Sequence, residues 1–154
     1  MFLHEVFPLE CIKVNLEAED KDEAFEELVD HLCQSGMTDA REAILTALQQ
    51  REAKMSTGIH KGIAIPHGNT DAIDSVYGVL GISRKGIDYD ALDGEPVYVL
   101  FMIIAPHGET ETHLRILKRM AELFEDPQFY IDLQSQTDAH GAYKVICHYE
   151  MDAS

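Results

Sequence analysis

The chain has 154 residues, 45% of them hydrophobic and 26% charged, and a formal charge of −16. Those values describe one ordinary soluble globular domain whose core needs neither disulfides nor a structural metal. Its acidity argues against nucleic acid or an anionic membrane surface as partner and favours encounter with basic proteins, although solubility alone accounts for most of the charge.

No apolar run approaches the roughly 20 residues that a membrane helix needs; the longest spans residues 97–105. The start, Met1-Phe2-Leu3-His4-Glu5, lacks the basic and apolar segments of a secretory signal, so a cytoplasmic location without direct membrane insertion is expected. Cys11, Cys33 and Cys147 are widely spaced and form no Cys-x-x-Cys pair, which suggests buried thiols in a reducing compartment.

In chain order, residues 10–16 alternate enough, with Ile12, Val14 and Leu16 on one side, to predict a first strand. Asp20, with Glu23 three residues on, reads as a capping box. Phe25, Leu28, Val29, Leu32 and Cys33 then follow at helical spacing up to Gly36. A second helix opens at Thr38 or Asp39, carries Ile44, Leu45 and Leu48, and ends near Arg51.

Ser56-Thr57-Gly58 and Lys61-Gly62 are loop-like, and Ile63-Ala64-Ile65 is a short strand stopped by Pro66. Residues 75–83 read as a further strand, and Asp93-Gly94 as a turn. The continuous apolar run 97–104 predicts a central strand covered on both faces. A helix over 110–124 places Leu114, Leu117, Met120, Ala121 and Phe124 on one face. Asp126-Pro127 restarts the chain as a helix, and a last helix opens at Thr137. With no linker or repeat, these elements make a single-domain α/β sandwich: a central mixed β-sheet flanked by helices, over residues 1–154 with a core of about 5–147.

Of eight histidines, His4, His140 and His148 are expected to be solvated, and His31 to be exposed on its helix. His60, His67, His107 and His113 fall in loops or at element ends, where function concentrates. His67 stands out within Ala64-Ile65-Pro66-His67-Gly68: proline fixes the backbone before it, and glycine supplies freedom of φ and removes a crowding side chain after it. Such a setting suits a nucleophile or ligand, and equally a plain turn. A zinc hydrolase built on His60, His67, His107 and His113 is a further reading, but no His-Glu-x-x-His spacing supports it.

Arg51-Glu52-x-x-x-Ser56-Thr57-Gly58-Ile59, followed by Gly62-Ile63-Ala64-Ile65-Pro66-His67-Gly68, closely resembles the active-site segment of EIIA domains. These belong to the bacterial phosphoenolpyruvate-dependent phosphotransferase system, and the match is to the fructose, mannitol and nitrogen-regulatory type, type 2. The segment from Gly86 to Val97, Ala105-Pro106, and His113-Leu114-x-x-Leu117 agree as well, so the resemblance covers nearly the whole chain.

The resemblance implies a phosphotransferase component, a phosphocarrier that needs no cofactor or metal. HPr, or a similar phosphohistidine protein, is the donor, His67 the phosphorylated nucleophile acting through Nε2, and an EIIB cysteine or a regulatory target the acceptor. It assigns phosphoryl stabilisation to His113 and Arg51, with Ser56, Thr57 and Gly68 as supporting positions. Without the resemblance, Arg51 reads as a helix C-terminal cation and His113 as a helix-start residue. His60-Lys61 and His107 depart from the family pattern, as does the stretch after Phe129. The expected role is nitrogen-regulatory, because no EIIB, EIIC or HPr segment accompanies the domain. A sugar-specific, fructose- or mannitol-like EIIA is the alternative.

Overall fold

The computed structural model describes residues 2–153, apart from the side chains of His60, Asp152 and Ala153. Met1 and Ser154, the ends of the expected domain, lie outside the described residues. Twelve regular elements follow the order α1 Leu3–Val6, β1 Ile12–Lys13, α2 Lys21–Gln34, α3 Arg41–Glu52, β2 Gly58–His60, β3 Ile63–Ala64, β4 His67–Asn69, β5 Tyr77–Ile87, β6 Val97–Ala105, α4 Thr110–Phe124, α5 Pro127–Gln134 and α6 Ala139–Ala153.

The predicted α/β sandwich is what forms. A six-stranded mixed sheet has the order β1-β5-β6-β3-β2, with β4 also paired to β6. Strand β6 runs antiparallel to β5 on one side and parallel to β3 and β4 on the other. Its side chains alternate between two cores. Val97, Leu100, Met102 and Ile104 face α2 and α3, whereas Val99, Phe101 and Ile103 face the layer containing α4, α5 and α6. An apolar run without polar alternation is the sequence of a strand with helices on both faces.

Local signals act largely as expected. The Asp20 carboxylate accepts from the Glu23 amide at 2.9 Å and starts α2, but Glu23 reaches back to the Glu19 amide instead of closing the box on Asp20. Gly36, at φ 84°, takes the left-handed position after α2 that a side chain would resist. Asp126 caps α5, and Pro127 occupies its first turn.

Several boundaries differ. The first strand shrinks to Ile12–Lys13, because a three-residue turn occupies Leu9–Cys11. Helix α3 begins at Arg41, since Thr38 Oγ1 accepts from the Ala40 amide and holds the preceding turn. Asp138, not Thr137, opens α6 by accepting from the Gly141 amide. The strand expected over 75–83 runs to Ile87, with a register shift between Ile82 and Ile87.

Two of the histidines expected to be solvated or exposed are also placed differently. His4 is held by Glu150, whose buried carboxylate accepts from the Leu3 and His4 amides and lies 2.9 Å from His4 Nδ1. That contact ties α6 to the start of α1. His31 is half-buried rather than exposed, and burial lowers its pKa. Among the cysteines, Cys11 is buried, whereas Cys33 and Cys147 are only partly so.

Candidate active site

The site is assembled by an interrupted strand. Strand β3 pairs with Val99 and Leu100 of β6, the chain breaks at Pro66, and β4 resumes the ladder with His67 opposite Ile103 and Asn69 opposite Ala105. Proline has no amide to give, but its carbonyl accepts from Ile103 N at 2.9 Å, so the ladder continues past it. His67 therefore begins a second strand segment and is not part of a turn. Because strand side chains alternate, His67 and Asn69 share one face and Gly68 takes the other.

The reason for Gly68 is steric. Its φ is not in the left-handed region, and a Cβ there would stand 2.9 Å from both the carbonyl carbon and oxygen of Ala47. Helix α3 thus rests directly on the β4 backbone, which carries Arg51, near the end of that helix, to the same edge as His67. From the other side, α4 starts just after β6 ends and brings His113 in its first turn.

A cavity of about 360 Å³ lies at this edge, lined among others by Arg51, Lys54, His67, Asn69, His107 and His113. The His67 and His113 rings meet edge to face, 5.4 Å between centroids and 88° between planes. His67 Nδ1 is 2.7 Å from the Ile65 carbonyl oxygen. A carbonyl can only accept, so Nδ1 carries the proton and Nε2 keeps its lone pair. Burial lowers the His67 pKa; the Ile65 hydrogen bond opposes that effect, and the Arg51 charge adds to it.

His113 is 5% exposed, and its Nε2 has no hydrogen-bond partner among the described residues. Its pKa is pushed down to about 4, first by burial and then by neighbouring His67. Both rings are neutral at physiological pH. Arg51 directs Nη1 to the Met55 carbonyl at 2.8 Å, which pins the guanidinium at the cavity rim. His107 is exposed at the rim and pairs with Asp71 at 3.3 Å.

Ser56 and Thr57 are not among the residues lining this cavity. Thr57 is buried, its amide and hydroxyl held by the Glu52 carboxylate at 2.8 and 2.6 Å, with Tyr89 Oη 2.7 Å from the same hydroxyl. Lys21 completes the group, 3.1 Å from Glu52. The Ser56 hydroxyl accepts from the Gly58 amide at 3.1 Å. This network fixes the loop that receives Arg51. Sequence reading gave Glu52 and Asn69 no role; the period-2 spacing of Asn69 from His67 was the available signal for the latter.

Leu114, expected on the core face of its helix, is 60% exposed and lines the cavity. The buried stripe is His113, Ile116, Met120 and Leu123, displaced by one position so that His113 turns inward. His60 lies in β2, at the hairpin whose turn residues Lys61 and Gly62 both have positive φ. Among the described residues, no three His, Cys, Asp or Glu side chains form a group suited to a metal ion.

Two neutral imidazoles, one with a free lone pair and one with an unpartnered nitrogen, stand beside an arginine and a lysine in one cavity. That combination defines a site where a nucleophilic histidine can receive an anionic group. The comparisons give the family. The model described as "Phosphoenolpyruvate-dependent sugar phosphotransferase system, EIIA 2" matches residues 5–149. The chain belongs to this EIIA family and is a phosphotransfer component of that system.

Similar proteins include a fructose-specific EIIA component of Haloferax volcanii, 40% identical over 75% of each chain. The fructose-specific EIIABC component of Bacillus subtilis is 38% identical over 80% of this chain, which spans only 19% of that longer protein. A nitrogen regulatory protein of Bradyrhizobium diazoefficiens is 31% identical over 89% of each. Among solved structures, nitrogen regulatory IIA-Ntr of Neisseria meningitidis superposes with a TM-score of 0.86 at 28% identity, covering 94% of this chain and 98% of that one. The mannitol IIA of Escherichia coli shares the fold, with a TM-score of 0.74 over 89% of this chain and 96% of that one, at 20% identity. No helix among the described residues is long and apolar enough to cross a membrane.

Proposed function

We propose that His67 is the residue that carries the phosphoryl group, taking it from an HPr-like phosphohistidine protein and passing it to an EIIB cysteine or a regulatory target. The observation that carries this reading is the hydrogen bond from His67 Nδ1 to the Ile65 carbonyl, because it leaves the Nε2 lone pair as the ring's nucleophile beside His113 and Arg51. Nε2 forms the new N–P bond as the donor's N–P bond breaks, and the donor imidazole leaves with the electron pair. The His67 ring becomes cationic, and the Ile65 carbonyl accepting from Nδ1–H stabilises that charge.

Arg51 and the second nitrogen of His113 act on the phosphoryl oxygens, whose charge is spread most widely in the transition state. Thr57 supports this indirectly, through Glu52 and the loop that Arg51 bonds. Gly68 contributes by letting α3 approach. The whole domain is taken as residues 1–154, in the cytoplasm.

A nitrogen-regulatory role is the favoured branch, supported by the Bradyrhizobium relative, matched along 89% of both chains, and by the similarity to the Neisseria IIA-Ntr structure. The higher identity to fructose-specific components supports the sugar-specific alternative, with EIIB as acceptor; the mannitol IIA of Escherichia coli solved in complex with phosphorylated IIB shares the fold. The test is incubation with phosphoenolpyruvate, enzyme I and several HPr variants, followed by phosphosite mapping. Phosphate on His113 or on a serine overturns the assignment.

A further inference from the structure

We propose that Asn69 is a positioning residue that sets the tautomer of His113, and thereby makes His113 Nε2 a hydrogen-bond donor. The inference rests on the reading above, in which His113 serves the phosphoryl oxygens. A neutral imidazole carries one proton, and only one of its two tautomers can donate from Nε2. Nothing within His113 chooses between them.

Asn69 supplies the choice. Its Nδ2 lies 3.4 Å from the Ala105 carbonyl oxygen and 3.3 Å from His113 Nδ1. The carbonyl accepts only, so the amide group turned to it is the NH₂ and not the oxygen. The same NH₂ therefore donates to His113 Nδ1, which must accept. The proton is left on Nε2, the nitrogen that has no partner among the described residues although His113 is only 5% exposed.

The placement follows from the strand. Asn69 is two residues from His67, on the same face of β4, and its register partner is Ala105 at the end of β6. Helix α4 begins shortly after that point, so one side chain reads both the carbonyl at the strand end and the imidazole in the first turn of the helix. The low pKa of His113 fits the arrangement, because a ring kept neutral donates from one nitrogen alone, and it is the tautomer that decides which.

The test is the ¹⁵N–¹H spectrum of the His113 imidazole, with single-turnover phosphoryl transfer measured alongside. Wild-type protein is expected to show a protonated Nε2 and a bare Nδ1. Asn69→Asp reverses the polarity, since a carboxylate accepts from Nδ1–H. At a pH alkaline enough to keep the ring neutral, that variant is expected to move the proton to Nδ1 and to slow transfer through His67 about a hundredfold.

Asn69→Leu, which neither donates nor accepts, is expected to give a mixture of tautomers and an intermediate rate. A bare Nε2 in the wild-type spectrum, or unchanged tautomers in both variants, overturns the proposal. Should His67 take no phosphate in wild-type protein, the proposed function fails, while the wild-type spectrum still decides the role of Asn69.

Discussion

His67 and His113 meet edge to face, with centroids 5.4 Å apart, yet the two rings are held by opposite hydrogen-bond logic. His67 donates from Nδ1 to a main-chain carbonyl, and His113 accepts at Nδ1 from a side-chain amide. One ring is left with a lone pair and the other with a proton. Replacing His67 by Ala should leave folding intact and abolish phosphorylation, and the wild-type adduct should be acid-labile and base-stable, as a phosphoramidate is. Retention of acid-labile phosphate by His67→Ala, read by mass spectrometry, would place the nucleophile elsewhere.

His113→Ala should still be phosphorylated on His67 but pass the group on more slowly. Loss of one preorganised donor costs on the order of 3 kcal/mol in a transition state, roughly a hundredfold in rate. Asparagine or glutamine at this position should restore part of the rate. Quenched-flow transfer in both directions is the measurement; wild-type rates for His113→Ala would reduce the residue to a helix-start fixture.

The depressed His113 pKa also makes a stability claim. Its ordinary value is 6.5 and its folded value about 4, so between those limits the unfolded chain binds the extra proton. The contribution is complete above the unfolded value and is lost as pH falls toward the folded one, a change on the order of 3 kcal/mol for a group this buried. Urea unfolding of wild-type protein and His113→Gln should therefore show their stability difference moving against wild type on acidification. A difference independent of pH refutes the shift.

Gly68→Ala tests why the residue after His67 is glycine. If freedom of φ were the reason, alanine would be tolerated, because Gly68 does not use a positive φ. The contact of 2.9 Å with the Ala47 backbone predicts otherwise. Backbone cannot rotate aside, so overpacking of about 1–3 kcal/mol is expected, together with slower phosphorylation as α3 and Arg51 are pushed outward. Denaturation and transfer assays on the same variant check both effects.

Glu52→Gln removes the charge that Lys21 pairs with and weakens the two hydrogen bonds to Thr57, of 2.8 and 2.6 Å. A loss of about 1–3 kcal/mol in stability is expected for a buried group of this kind. Phosphorylation should slow as well, because the loop holding the Met55 carbonyl no longer fixes Arg51. Full activity at reduced stability would separate Glu52 from the site.

Residues 97–104, Asp20 with its helix and Asp126-Pro127 declared their places through periodicity or capping chemistry, and the Ile63-to-Gly68 string declared the family through its motif, all of which act over a few residues. Sequence alone thus determined the layered α/β plan and the central strand, and it marked His67, half-buried in the fold, as the candidate. Tertiary structure decided the rest. The pairing of β4 with β6 set His67 in a resumed strand, and the approach of α3 gave Gly68 its purpose. The junction of β6 with α4 turned His113 inward and Leu114 outward, and brought Asn69 to His113 Nδ1. These depend on contacts between residues distant in the chain, 36 and 44 residues apart in the two Asn69 contacts, where no local pattern records which neighbour will arrive. A side chain's hydrogen-bond polarity is settled only by the group opposite it, and that group is chosen by the fold.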